Sequence, residues 1–216
     1  VFDAAGKLLE RSSLGQQTIH DLAFLSDGNS LVAATPDKLA RIVPLSLERL
    51  LTGHTGAVTT VTFTPDGTKL LTGGADKSVR LWNTADGKAL GTFAGHTDVV
   101  TAVTVSADGK RAASSGVGKV VHLWNLEASP AAAAKPVASF AHPAAVRGVS
   151  ISADGTRVGT VGDDNLVRVW DIATKKELER FAGHAGPALA VAFAPDNRTL
   201  VTGSAGGPRR WWLSYP

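Results

Sequence analysis

Residues 53–83 read GHTGAVTTVTFTPDGTKLLTGGADKSVRLWN, and this stretch decides the fold because it recurs along the chain. The pair Gly53-His54 returns at Gly95-His96 and Gly183-His184, with Ala141-His142 in the same role. The histidines stand 42, 46 and 42 residues apart, and Trp82, Trp124, Trp170 and Trp212 repeat those three intervals. The turns Asp66-Gly67, Asp108-Gly109, Asp154-Gly155 and Asp196-Asn197 keep the same step. Three independent markers on one period define a repeat array, and the period fixes the size of the structural unit.

Within one unit the pattern is four short strands. Val58 to Phe63 alternates and runs into Pro65-Asp66-Gly67, a strand entering a tight turn. Lys69 to Thr72 is a second strand, stopped by Gly73-Gly74. Ser78 to Trp82 is a third. Lys88 to Phe93, after the Asp86-Gly87 turn, is a fourth. Four strands in about 42 residues make one blade of a propeller, and no segment carries a helical period. A degenerate unit lies upstream, with its turn at Asp27-Gly28, Gly15 in the histidine place and Val43 in the tryptophan place. The opening VFDAAGKLLERSSLG aligns with LWNTADGKALGTFAG, so the chain starts near the end of a third strand.

The stretch 53–83 and its three downstream copies resemble the WD-repeat (Trp-Asp, β-transducin-type) propeller family. The likeness covers essentially the whole chain, although the Trp-Asp pair itself appears only at Trp170-Asp171. Asn83, Asn125 and Leu213 stand in for the Asp elsewhere. The resemblance implies an all-β fold, a β-propeller of four-stranded antiparallel blades with five repeats in view. Their bounds are 15–52, 53–94, 95–140, 141–182 and 183–213, with 1–14 the tail of a preceding blade or a closing strand. The family commonly has seven blades, which at this period needs about 294 residues. The expectation is therefore a fragment of a larger ring. The alternative is a closed five-bladed ring, with the strand around Lys7 to Arg11 completing the last blade.

The resemblance also implies a hydrogen-bonded tetrad in each blade. Full sets are His54, Thr72, Asp76, Trp82 and His142, Thr160, Asp164, Trp170. Partial sets are His96, Ser114, Trp124 and His184, Thr202, Trp212, where Gly118 and Gly206 replace the Asp. The first unit keeps only Asp37. In Arg209-Arg210-Trp211-Trp212 the expected arrangement is Trp212 inward and Trp211 outward. A histidine–hydroxyl–carboxylate group invites a catalytic reading. Its recurrence once per blade, with the hydroxyl taken by the indole, points to an internal brace instead. His20 and His122 stand outside the pattern and are read as surface residues.

Composition excludes several classes. The chain has 216 residues, 44% hydrophobic and 19% charged, with a net charge of +3 and no cysteine. Thiol catalysis, thiolate metal sites and disulfides are ruled out. The basic residues are scattered, so nucleic acid is not indicated. No apolar run approaches the ~20 residues of a membrane helix. Gly116-Val117-Gly118-Lys119 is followed by Val120 and fails the phosphate-loop pattern. No cofactor, metal or catalytic residue is expected. Asn197-Arg198-Thr199 is a glycosylation sequon within a hairpin. The insert Ala128 to Pro136 accounts for the single 46-residue interval and reads as a tolerated loop.

The expected function is a non-enzymatic scaffold binding proteins or peptides on the loop face where first strands begin. By resemblance the exposed positions there are His20, Thr59, Thr101, Arg147 and Leu189, with Asp163 in a facing turn. The alternative is a sensor or targeting region of a larger protein such as a kinase, protease or cytochrome fusion.

Overall fold

The computed structural model describes residues 20–24, 30–34, 36, 38, 40–44, 49–127 and 134–214. Among the described residues nineteen strands form five antiparallel sheets, and no helix occurs. The first sheet holds β1 (Asp21–Phe24), β2 (Ser30–Ala34), β3 (Ala40–Pro44) and β4 (Arg49–Leu51). The second holds β5 (Val58–Phe63), β6 (Lys69–Gly74), β7 (Ser78–Asn83) and β8 (Ala89–Ala94). The third holds β9 (Val100–Val105), β10 (Arg111–Gly116), β11 (Val120–Asn125) and β12 (Ala138–Ala141). The fourth holds β13 (Val146–Ile151), β14 (Arg157–Gly162), β15 (Leu166–Asp171) and β16 (Glu177–Ala182). The fifth shows three strands, β17 (Ala188–Phe193), β18 (Thr199–Ser204) and β19 (Gly207–Trp212). The segment around Lys7 to Arg11, expected as a closing strand, lies outside the described residues, as do Gly15, Asp27, Gly28 and Asp37.

Turn chemistry sets the strand limits. Gly67, Gly109 and Gly155 take φ of 69°, 72° and 69°, the left-handed region in which a Cβ is costly. Asn197 takes the same place with φ 56°. Asp66 ties its own hairpin, accepting from Thr64 Oγ1 at 2.6 Å and Thr68 Oγ1 at 2.8 Å. The second strand was expected to stop before Gly73-Gly74. It continues through both, because their lack of side chains admits neighbouring groups: a Cβ on Gly73 would lie 2.6 Å from Val100.

Each of the first four sheets buries one face on the next, in chain order, as successive blades of a β-propeller do. Val32, Ala34 and Leu51 pack on Val58, Val61, Leu70 and Trp82. Leu71, Val79, Leu81 and Phe93 pack on Val100, Val103, Ala112 and Trp124. Ala113, Val121, Leu123 and Phe140 pack on Val146, Val149, Val158 and Trp170. Val161, Val167 and Val169 pack on Ala188 and Leu200, with Trp211 and Leu213 alongside. Burying each such aliphatic side chain contributes about 1.5–3 kcal/mol, so these four seams are the core. Polar bonds stitch the seams as well: Val61 N–H donates to Asp21 Oδ2 at 3.0 Å, and Phe193 N–H to Ser150 Oγ at 3.1 Å.

The long insert does more than tolerate its place. Residues 128–133 lie outside the description, but Ala134 forms a parallel bridge to Phe93 on the outer edge of β8. Ala134 N–H donates to Thr92 O at 3.0 Å, and Ala94 N–H donates to Ala134 O at 3.2 Å. One outer strand edge is thereby covered by the neighbouring sheet's insert.

Candidate functional site

The repeated polar residues meet between the second and third strands of the second to fifth sheets. In β5–β8, Trp82 Nε1–H donates to Thr72 Oγ1 at 2.8 Å, and Thr72 Oγ1 lies 2.7 Å from His54 Nε2. The hydroxyl proton has one acceptor within reach, the imidazole Nε2. That assigns the tautomer and leaves Nδ1 carrying a proton. In this sheet Nδ1–H donates to Asp76 Oδ2 at 2.9 Å. Burial raises the Asp76 pKa, but bonds from His54, Ser78 and Thr55 outweigh it and hold the carboxyl well below the usual range.

None of the three later sheets gives the same Nδ1–H to a carboxylate. In β13–β16, His142 Nε2 meets Thr160 Oγ1 at 2.9 Å, and Trp170 Nε1–H donates to that hydroxyl at 3.1 Å. Asp164 was expected on His142. Instead His142 Nδ1–H donates to Phe140 O at 3.0 Å, and Asp164 Oδ2 approaches Arg168 Nη1 at 2.6 Å. The approach is not aligned as a hydrogen bond, so it acts as charge attraction. The cause is local. Ser78 Oγ holds Asp76 at 2.8 Å, whereas Leu166 at the matching place has no hydroxyl. Arg168, only 4% exposed, requires a counter-ion.

In β9–β12, Ser114 Oγ joins His96 Nε2 at 2.6 Å and the Trp124 indole at 2.8 Å, while His96 Nδ1 has no acceptor among the described residues. His122, expected at the surface, is buried and packs edge-on against His96 with centroids 4.6 Å apart. Its Nδ1 bonds Ser139 Oγ at 2.8 Å. It sits opposite Ser114 in the register, where alternation turns it inward. Burial pushes the His96 pKa down to about 3, helped by His122, and pushes His122 down too. Burial likewise sets His142 at about 4.

In β17–β19 the indole partner is corrected. Trp211 Nε1–H, not Trp212, donates to Thr202 Oγ1 at 2.8 Å, and Thr202 meets His184 Nε2 at 2.6 Å. Trp212 is 60% exposed, with the Arg210 guanidinium 5.1 Å above its ring. The turn between β18 and β19 is one residue shorter than its counterparts in the second to fourth sheets, so the inward position moves back by one. Leu200 faces Trp211 as Leu70 faces Trp82.

The loop face holds the expected partner positions. Arg147 grips Asp163 with two bonds, Nε to Oδ1 at 2.8 Å and Nη2 to Oδ2 at 2.6 Å. The pair raises the pKa of Arg147 and lowers that of Asp163. Leu189 is 58% exposed. A shallow depression of about 380 Å³ runs among Thr59, Val99, Thr101, Val117, Arg147 and Leu189. The Thr59 hydroxyl donates to Val100 O at 2.6 Å and that of Thr101 to Val146 O at 2.6 Å, so both also bridge adjacent sheets. His20 is exposed on the first sheet. A deeper groove of about 840 Å³ lies on the opposite face between the third and fourth sheets. Its Asp108 and Asp154 are tied to Ser106 and Ser152 in their own turns. Among the described residues no three His, Asp or Glu side chains converge as a metal site requires.

The family model for the WD domain, G-beta repeat (WD40), matches residues 45–83, 87–125, 134–171 and 175–207, more than half of the chain. The chain belongs to the WD40 family. The first three WD40 matches run from the fourth strand of one sheet through the third strand of the next, so repeat and blade are offset by one strand. Curated WD-repeat relatives match single stretches. The chain is 35% identical over 72 residues to WD repeat-containing protein SL1-17 of Schistosoma mansoni, covering 32% of this chain and 24% of that protein. It is 37% identical over 78 residues to eukaryotic translation initiation factor 3 subunit I of Emericella nidulans, covering 35% and 23%. It is 43% identical over 65 residues to small ribosomal subunit protein RACK1 of Caenorhabditis elegans, covering 29% and 20%. The matched stretches thus span a quarter or less of these relatives' length. WD40 repeats and these relatives mark an interaction scaffold in general terms.

Proposed function

We propose that the chain is a non-enzymatic WD40 scaffold that binds a protein or peptide on the loop face around Arg147, Asp163 and Leu189. The observation carrying this reading is the Arg147–Asp163 fork beside an exposed Leu189, bordering an apolar depression. Both charged side chains are partly exposed, so the fork adds little stability. Its effect is to hold a guanidinium still at the rim of an apolar patch, where ordering it on binding costs little entropy. The tetrads support the non-enzymatic reading. Each hydroxyl is buried and already shared between an imidazole and an indole, leaving no approach for a substrate. His20, Thr59 and Thr101 form the periphery of the proposed surface.

The test is affinity capture with the native chain, followed by dissociation constants for the captured partner with Arg147→Ala and Leu189→Asp. Each is expected to weaken binding about tenfold with an unchanged melting curve. Unchanged affinity in both variants would remove this face from the interaction. A second reading, a targeting region of a larger multidomain protein, draws on one observation. A human relative, WD repeat and SOCS box-containing protein 1, is 37% identical over 83 residues, and this chain covers 20% of it.

A further inference from the structure

In four of the sheets the tetrad imidazole has its Nε2 on a hydroxyl and its proton on Nδ1. His54 gives it to Asp76 and His142 gives it to Phe140 O. His96 and His184 have no acceptor among the described residues, although both are more than nine-tenths buried.

These two are not alike. Beside His96, the Thr97 hydroxyl lies 2.7 Å from where a Cβ on Gly118 would stand, so it fills the ground a carboxylate would take. The His122 ring is packed against the same imidazole. Beside His184 the two loops are uncrowded, although the Nδ1 atom itself is shielded from solvent. In the β5–β8 sheet, entry loop and turn touch: a Cβ on Gly56 would meet Ala75 and Asp76 backbone at 2.8–3.0 Å. The counterpart Gly186 has nothing within 4 Å, and a Cβ on Gly206 would meet only the Ser204 hydroxyl, at 3.6 Å. The loops here are Ala185-Gly186 and Ala205-Gly206-Gly207, with almost no side chain. The exposed Arg209 guanidinium lies close enough to act on His184 electrostatically.

We propose that this opening is a carboxylate-binding site, in which an incoming carboxylate accepts the His184 Nδ1–H as Asp76 accepts that of His54, with Arg209 as the counter-charge. The chain's own repeat shows the chemistry: a carboxylate on Nδ1, also taking the backbone N–H of the next residue, as Asp76 takes Thr55 N–H at 3.0 Å. Burial first, and Arg209 second, push the His184 pKa down, so the ring is a neutral N–H donor near neutral pH. The carboxylate is either a small free anion or the Asp or Glu side chain of a docked protein. In the second form the site rests on the reading of the loop face as a docking surface. In the first it stands without it.

The experiment titrates the intact chain with sodium formate against sodium chloride at equal ionic strength, following the imidazole resonances by NMR and the melting temperature. Formate is expected to shift His184, raise its pKa and raise the melting temperature to a plateau. His54, already served by Asp76, and His96, already covered, are expected to stay put. R209A, outside the tetrad, is expected to weaken the formate response several-fold while melting normally in chloride. A blocked tripeptide with a central aspartate, against its asparagine twin, distinguishes a protein-borne carboxylate from a free one. Identical responses to formate and chloride, or equal shifts of His54 and His184, overturn the proposal. Loss of partner binding in Arg147→Ala is a separate result and leaves this one untouched.

Discussion

Asp164 closes on Arg168 at 2.6 Å and leaves His142 to a backbone carbonyl, so a residue placed by its repeat as an imidazole partner serves as a counter-ion. Arg168 also reaches Glu177 at 3.4 Å, and the guanidinium is nearly inaccessible. Substituting Asp164→Asn leaves that cation short of one carboxylate. Breaking a buried pair from one side costs about 3–5 kcal/mol, and the remaining Glu177 places the expected loss near the lower end. Urea unfolding checks this; an unaltered midpoint would show that Glu177 alone suffices.

The two terminal tryptophans are expected to differ sharply. Trp211 braces Thr202, while Trp212 stands 60% exposed. Trp212→Ala should change stability by about 0.5 kcal/mol or less. Trp211→Ala should cost several times more, and the better buried Trp170→Ala about 3–5 kcal/mol. Thermal melting of the three variants orders them. Equal effects at 211 and 212 would refute the register given for β19.

Acid is expected to weaken the fold before carboxylates titrate. His96, His122 and His142 have folded pKa values below the ordinary imidazole value of 6.5, at about 3 for His96 and about 4 for His142. A neutral ring in the fold and a charged one in the unfolded chain means that this stabilisation is complete above pH ~6.5. It declines as pH falls toward 4. Asp76, with a lowered pKa, adds a further loss at lower pH in the same direction. The melting temperature between pH 7 and pH 4 measures it, and a flat profile would contradict the buried neutral pair.

Gly118→Asp is expected to lower the melting temperature although position 118 has the register of Asp76, because its Cβ would stand 2.7 Å from the Thr97 hydroxyl, which already fills the ground a carboxylate would take. Gly73→Ala should lower it too, since its Cβ would strike Val100 at 2.6 Å and Thr60 at 2.8 Å. A rise in melting temperature for Gly118→Asp would show that Thr97 yields and that the His96 Nδ1–H is open to a carboxylate.

The period made the strands, turns and family legible before any coordinates, because each depends on residues close in sequence. What the sequence hid depends on cross-strand neighbours. Trp212 keeps the 42-residue interval, yet a turn shortened by one residue hands the inward position to Trp211. The fate of Asp164 turns on Leu166 lacking the hydroxyl of Ser78, and on the burial of Arg168, since Arg80 holds the same register opposite Thr72 but is less buried. His122 looked isolated because its partners, His96 and Ser139, are 26 and 17 residues away. Of the loop-face positions, the sequence could place Arg147 and Asp163 near each other but could not show their forked contact.

Ala134 gives the irregular interval a meaning that alignment conceals. Trimming the insert to restore an even period would look harmless on paper. It would strip the rim of β8 of its borrowed partner and leave the Ala94 amide and the Thr92 carbonyl bare for another molecule to pair with. Here the uneven spacing is what keeps that rim from becoming adhesive.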